Sequence, residues 1–461
     1  MVPAPWEDWK RASRWYNKGV DRRIVILFIG IALTAPVHCG LRRTASLLSS
    51  QDEALLDDLS YRAFLFFWEQ ADPSTGLVRD RAGVNGERRS DLASIAATGF
   101  GLTALCIAAE RGWISAEDAR ERARVTLRFL AERAFHKNGW FYHWMNARTG
   151  AREWESEVSS IDTALLLAGV LTVRQCFSAD PEIGARATAI YERVDFPWML
   201  NGHPTLLSHG WTPEGGFLSS RWDTYSEHMI LYLLAIGSPT HPISPESWYA
   251  WWRNPITYAG YTYIYGAPPL FIHQYSHAWI DFRHRREERG RRTNWFENSI
   301  AATRAHREFC LRLAAEFPRS YSENVWGITA SDCWRQGRRQ YCDWGGPPPP
   351  GFPRDGRIDG TVVPSAPAGS LMFTPDISLA ALRTMKEKFS AEYGERVYGR
   401  YGFTDAFNPT TGWVNPDVIG ISVGITLLSA ENLRTGQVWN WFMRNPEILR
   451  AMEAVGLRPE T

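Results

Sequence analysis

From about residue 50 onward the sequence reads as helix after helix, and the helices are of two kinds. Ser159–Phe177 (SSIDTALLLAGVLTVRQCF) is apolar on nearly every side, and Trp222–Ile236 and Pro416–Leu433 are mostly apolar. Pro181–Val194 and Asn294–Phe317 are amphipathic, and Ser115–Phe135 carries a charged face. Glu53–Gln70, Ser94–Arg111 and Pro375–Phe389 complete the helical stretches, the last opened by a Thr374 cap and a proline in its first turn. A helix without a wet side must be buried all round. Alternation of the two kinds predicts an all-α double ring, with inner helices enclosed by outer ones. Period-2 patterns are few and short, around Thr262–Tyr265 and Gly215–Leu218, and no internal repeat supports a solenoid.

The connections are patterned too. Asn138–Glu157, His209–Glu227, Tyr261–Trp279, Tyr321–Asp332 and Tyr398–Asp417 are long, rich in glycine and aromatics, and carry acids. Gathered at one face of a rigid scaffold they would form a cleft. Arg335–Gly360, with Pro347–Pro350, has no apolar periodicity and reads as a lid or a surface excursion. Lys and Arg number 51 against 50 Asp and Glu, a balance that argues against a dedicated nucleic-acid binder. The chain has 22 Trp, as many as Phe and more than Tyr. Each indole N–H needs a partner, so such residues suit either a well-satisfied core or a cleft whose flat apolar faces also meet water.

Ile24–Val37 is one apolar run of 14 residues behind Arg22 and Arg23. It is too short to span a bilayer, which takes about 20 residues. It reads as an export signal, with an uncleaved anchor as the alternative. Residues 1–45 are therefore assigned to export or anchoring and 46–461 to one domain, placed in the periplasm or outside the cell. Cys106, Cys176 and Cys310 sit in apolar patterns; Cys333 and Cys342 flank SDCWRQGRRQYCDW and are either bridged or two free thiols. No CxxC pair occurs, so a structural zinc site is not expected.

Familiar motifs fail. Gly420–Gly424 (GISVG) matches a nucleophile elbow but lies in a helical pattern, where small residues permit close packing. His273 and His277 have helical spacing without the acid that a metalloprotease helix requires. Neither a dinucleotide fingerprint nor a P-loop is present. Carboxylates among aromatics remain: Glu153–Glu157 (EWESE) leading to Asp162, Trp222–His228 (WDTYSEH), Tyr321–Asn324 (YSEN), and Asp405 within YGFTDAFN. Glycoside hydrolysis needs two carboxyl groups about the scissile bond, one kept protonated by burial. Glu227 reads as lying one turn inside an apolar helix, where an unpaired charge is expensive. Asp162 and Asp376 also fit the bland role of acids in a helix's first turn.

Together Ser159–Gly169, Tyr225–Glu227 (YSE), Tyr275–Trp279 (YSHAW), Tyr321–Asp332 (YSENVWGITASD) and Tyr401–Trp413 resemble the glucoamylase-like proteins of glycoside hydrolase family 144, in that order and over roughly Ala54 to Pro446. The resemblance implies an (α/α)₆ barrel that hydrolyses β-1,2-glucan with inversion. No cofactor or metal is implied, and the expected partner is an oligo- or polysaccharide. Glu227 is carried over as the acid, with Asp162 and Glu157 as its catalytic partners. Asp405, Trp154, Trp222, Tyr225, Tyr275, His277, Glu323, Trp326 and Trp413 are assigned to substrate. A polysaccharide lyase using His273, Tyr275 and His277, a transglycosylase, and a non-catalytic glycan-binding protein stay open as alternatives.

Overall fold

Ser94 and Ser159 each close the amino end of a buried helix, accepting from the backbone N–H three residues on. In the computed structural model, which describes residues 48–460, these two helices lie against each other along their length. In chain order the longer helices are α1 (Ser50–Gln70), α2 (Ile95–Glu110), α3 (Ala116–Glu132), α4 (Ser160–Cys176), α5 (Pro181–Glu192), α6 (Met229–Gly237), α7 (Trp295–Leu313), α8 (Pro375–Tyr393), α9 (Gly420–Arg434) and α10 (Pro446–Ala454). From Ala54 on, the chain packs as one compact unit.

Glycine sets the closest approach. A Cβ at Gly99 would sit 2.2 Å from the Leu165 carbonyl oxygen, and one at Gly169 would sit 2.1 Å from that of Gly99. Backbone cannot yield as a side chain can, so α2 and α4 touch only because both positions lack a side chain. Gly424 of the GISVG stretch does the same for α9, where a Cβ would meet the Phe100 ring at 2.4 Å. That motif is thus a packing surface. The expected alternation holds: α2, α4, α6 and α9 are buried around nearly their whole circumference, whereas α3 buries one stripe.

The tryptophans mostly fill this core. Trp140, Trp248, Trp251, Trp279, Trp295, Trp326 and Trp344 are fully buried. Their N–H groups account for several buried polar residues. Glu287 Oε1 accepts from Trp248 at 2.7 Å and Trp295 at 3.1 Å, and Arg253 neutralises it at 2.7 Å.

Two expectations need correction. The molecule is helix-dominated rather than all-α, because its long connections fold back as short antiparallel pairs. Among them are β1 (Arg81–Gly83) with β7 (Asp417–Ile419), β2 (Leu92–Ser94) with β3 (Trp144–Asn146), β4 (Val158–Ser159) with Gly210–Thr212, and β5 (Ser331–Arg335) with β6 (Arg338–Cys342). A connection at a crowded mouth satisfies its backbone groups this way. The helix expected from Trp222 starts only at Met229. Tyr225 N–H donates to Trp252 O at 2.9 Å and Trp252 N–H to Asp223 O at 2.7 Å, so residues 223–225 are extended.

The stretch around Pro347–Pro350 is packed down rather than hinged as a lid. Gly346 N–H donates to Pro268 O at 3.0 Å, Trp344 is buried, and Arg357 holds Asp343 at 2.8 Å. The expected export segment lies outside the described residues. Cys333 and Cys342 form a disulfide, Cα to Cα 6.0 Å, across the β5–β6 hairpin.

Candidate active site

β4 delivers the chain into α4. Ser159 Oγ donates to Asp162 Oδ2 at 2.5 Å while accepting from Asp162 N–H at 3.2 Å, which is a helix cap. The same carboxyl faces His143, whose Nε2 lies 3.6 Å from Asp162 Oδ1 and whose Nδ1 lies 3.0 Å from Glu157 Oε1. Burial opposes a charge on His143, but Asp162 and Glu157 together raise its pKa to about 9. Burial also works against a charged Glu157, yet the imidazolium wins and holds that carboxyl below its usual value. Asp162 shifts the other way, pushed up by burial and by the neighbouring Glu157 charge. One donor atom from each of the three lies within 4.8 Å of the others, a spacing that can hold a cation. The protonated ring already supplies the positive charge that such a cation would bring.

Glu227 sits in the turn just before α6. Ser226 Oγ donates to its carboxylate, and Ser276 Oγ donates to its carbonyl at 2.5 Å. Burial raises its pKa to about 6 against the Ser226 hydrogen bond and one from its own backbone, and the charge of Asp162 adds to the rise. A carboxyl group held this way keeps a proton to donate.

A second carboxylate group stands on the β1, β5 and β7 connections. Asp405 is 3% exposed. It accepts from Asp332 N–H at 2.8 Å, Ser422 Oγ at 3.2 Å and Asn415 Nδ2 at 3.4 Å. Asp332 accepts from Arg81 Nη1 at 2.8 Å, and Arg81 Nε also holds Asp80 at 2.9 Å. Asp417 is held by Arg89 at 2.6 Å and Arg339 at 2.5 Å. Burial pushes Asp405 well above the usual carboxylate range, and the Asp332 charge pushes it further than Arg81 can offset. Tyr275 feels the charges of both carboxylate groups. Burial raises its hydroxyl pKa, and Tyr341, Glu227, Asp405 and Asp162 all reinforce the rise.

Of the residues singled out in the sequence, Glu157, Asp162, Glu227, Asp405 and Tyr275 are brought together. Trp154 is 63% exposed and meets Trp144 edge-on at 5.7 Å, and Trp144 stacks on His143 at 4.0 Å. An open aromatic face thus leads to the acids. Trp154 and Glu155 hold it with φ of 56° and 50°, a left-handed turn costing about 1–2 kcal/mol per residue. Trp413 is half-buried on a strand paired with Asn408.

The others belong to the scaffold. Trp222 is buried, stacks on His209 at 4.0 Å and donates its N–H to Ser160 Oγ at 2.9 Å. Tyr225 is buried against Trp295, its hydroxyl 3.1 Å from His273 Nδ1. His277 is buried beside Ser299 Oγ at 3.1 Å, and burial drops its pKa to about 3, as it does for His273. Histidines this buried and this weakly basic make poor lyase bases. Trp326 is buried under Ile377 O, and the Glu323 side chain is 82% exposed beside Arg307. The buried side chains among these are engaged in the core, whereas Glu323 stands in solvent.

His143, Asp332, Tyr341 and the arginines at 81, 89 and 339 were not singled out. Asp332 closes the YSENVWGITASD stretch, so its position was in view. Its partners lie 73 and 251 residues away in the chain, and nothing local marks them.

The resemblance to glucoamylase-like proteins holds. Residues 219–446 match a family model described as "Putative glucoamylase". An exo β-1,2-glucooligosaccharide sophorohydrolase of Parabacteroides distasonis is 29% identical over 443 residues, covering 88% of this chain and 58% of its own. The chain therefore spans somewhat over half the length of that relative. An endo-β-1,2-glucanase of Chitinophaga pinensis, in complex with sophorotriose and glucose, superposes with a TM-score of 0.79 at 27% identity, over 89% of this chain and 99% of the other. A β-1,2-glucanase structure from Parabacteroides distasonis gives 0.78 at 28%, over 88% and 60%.

Proposed function

We propose that this chain is a glycoside hydrolase that cleaves β-1,2-linked glucan with inversion, on an (α/α)₆ barrel spanning residues 46–461. The observation that carries the reading is two sets of buried carboxylates whose charges both reach Tyr275: Glu227 with Asp162, and Asp405 hydrogen-bonded to Asp332. Activities of similar proteins on β-1,2-glucans support the linkage.

In this reading Glu227 donates its proton to the leaving glycosidic oxygen, because burial raises its pKa to about 6 and so extends the protonated form to higher pH than an ordinary carboxyl group reaches. Asp405 takes a proton from the attacking water; raised to about 7, it is a strong base among carboxylates in the fraction of molecules where it is ionised. Arg81 pairs with Asp332 beside it at 2.8 Å. Glu157 and Asp162, tied to the His143 imidazolium, are re-assigned from the direct acid–base step to sugar hydroxyls next to Glu227. Trp154 and Trp144 offer apolar faces to neighbouring sugar rings. Inversion requires room for water between acid and base.

The deciding experiment incubates purified protein with linear β-1,2-, β-1,3- and β-1,4-glucans and measures new reducing ends. Release from the β-1,2-glucan alone is expected; release only from another linkage would reject the reading. We also place the protein outside the cytoplasm on its N-terminal sequence. Mass spectrometry of the native protein should find a chain starting near residue 40, and an intact cytoplasmic Met1 chain would reject export.

A further inference from the structure

The β5–β6 hairpin pairs Ser331 with Cys342, Asp332 with Tyr341, Cys333 with Gln340, Trp334 with Arg339, and Arg335 with Arg338. Side chains alternate along a strand, and directly paired residues share a face. Asp332, Trp334, Arg339 and Tyr341 therefore stand on one face, and Cys333 and Cys342 on the other. The disulfide closes the back of the hairpin diagonally. On the front, Asp332 is tied to Asp405 twice: its own N–H donates to Asp405 Oδ2 at 2.8 Å, and Asn415 Nδ2 reaches both carboxylates, at 3.1 and 3.4 Å. Arg81 at 2.8 Å and Arg339 at 3.7 Å hold the Asp332 carboxylate from two other strands of the chain. Both cysteines are buried, so the bridge acts on the acid's neighbourhood and not on solvent.

We propose that Asp332 is a positioning residue that aims the Asp405 carboxylate at the water side of the cleft, and that the Cys333–Cys342 bridge fixes the hairpin for that task. The proposal rests on Asp405 being the base. The groups facing Asp405 are Asp332 and Tyr341 from the hairpin, Arg81 from β1, Ser422 from α9, and Tyr275; Asp80, paired with Arg81, acts on Tyr341. Arg339 and Asp417 form the next ion pair out. Among these, the negative charge of Asp332 is the one that most raises Asp405. Neutralising it lowers the proton affinity of Asp405, so the base stays ionised to lower pH and the pH optimum moves toward acid. Neutralising it also loosens the hold of Arg81 and Arg339 on the Asp332 side chain, and with it the placement of the backbone N–H that Asp405 accepts from; misplacement by about 1 Å costs about 10²-fold in rate.

The test measures kcat, KM and the pH profile of kcat/KM for Asp405→Asn, Asp332→Asn and the double variant Cys333→Ser/Cys342→Ser, each with a melting curve on the same sample. Asp405→Asn should be inactive while folded; an active Asp405→Asn overturns the base assignment and this inference with it. Asp332→Asn should lose about 10²-fold in kcat, keep KM nearly unchanged, and shift its optimum to lower pH. An inactive Asp405→Asn with an Asp332→Asn optimum and kcat like wild type overturns this inference alone. The double-serine variant leaves every charge in place. Assayed well below its melting temperature, it should also lose kcat at constant KM; wild-type kcat would overturn the role of the bridge.

Discussion

At the residue scale, the same physical effect serves opposite ends. Burial raises Glu227 to about 6, where it keeps a proton, and drops His277 to about 3, where it loses one. Glu227→Gln keeps shape and removes the donor. Turnover should fall by at least about 10²-fold with oligosaccharide binding retained, since acid–base groups supply about 10²–10⁴. Isothermal titration and initial rates on one preparation check this, and a variant keeping more than about a tenth of the wild-type rate sinks the assignment. The pH profile follows from the signs. Glu227 must be protonated, so activity falls as pH rises past about 6. Asp405 must be ionised, so activity falls as pH drops through its own raised value. Asp405, raised to about 7, stands above Glu227, so the two limbs cross and only a minority of molecules holds both required states at any pH; a narrow bell centred between about 6 and 7 is expected, and a maximum on the alkaline side would contradict the acid role of Glu227. Asp162→Asn separates cap from chemistry. The variant keeps the Ser159 cap, whose donor is the backbone N–H of residue 162, so a merely structural Asp162 leaves KM and turnover per folded molecule intact, whereas a sugar-binding Asp162 shows as a raised KM at an unchanged melting temperature.

Elements in this molecule are fixed by contact more than by preference. Gly169→Ala shows the conflict. Helix propensity favours alanine by about 1 kcal/mol. Overpacking costs about 1–3 kcal/mol or more, and here the new Cβ would meet backbone at 2.1 Å. Packing wins, and the variant should unfold faster at elevated temperature, measured as the half-life of activity under heating. A longer half-life than wild type would mean that α2 and α4 can move apart. By contrast Gly184, on the outer helix α5, has open space where a Cβ would go, and its alanine variant should be as stable as wild type or more so. The α6 boundary teaches the same lesson. DTYSE has nothing against a helix, but pairing with Trp252 captures residues 223–225 and leaves Glu227 in the turn before α6.

For the molecule as a whole, the decisive measurement is the stereochemistry of the first product. If the acid and base stand far enough apart for a water between them, the β-linked chain yields an α-configured reducing end first. Proton NMR in the first minutes, before mutarotation, reads the anomer directly. An initial β product would require a carboxylate near enough to form a glycosyl-enzyme, and the transglycosylase alternative would then displace hydrolysis by inversion. The rigid scaffold makes such a separation stable. Fully buried helices cannot tilt without opening backbone contacts, so the loops they carry keep their acids at fixed places.

Helical periodicity determined the large elements and which of them are enclosed, because an apolar stripe has one favourable destination whatever its partner. It also made Glu227, Asp162 and Asp405 visible, since a carboxylate within an aromatic, glycine-rich stretch is costly unless used. Tertiary structure alone decided which aromatics meet the cleft. Trp154 and Trp222 look alike in sequence, yet one is exposed and the other is held by Ser160 and His209. Only the fold revealed that His143 binds Glu157 and Asp162, and that Asp332 and Arg81 stand beside Asp405. A charge is priced by its neighbours within a few ångströms, and those neighbours come from segments that a reading along the chain never places side by side.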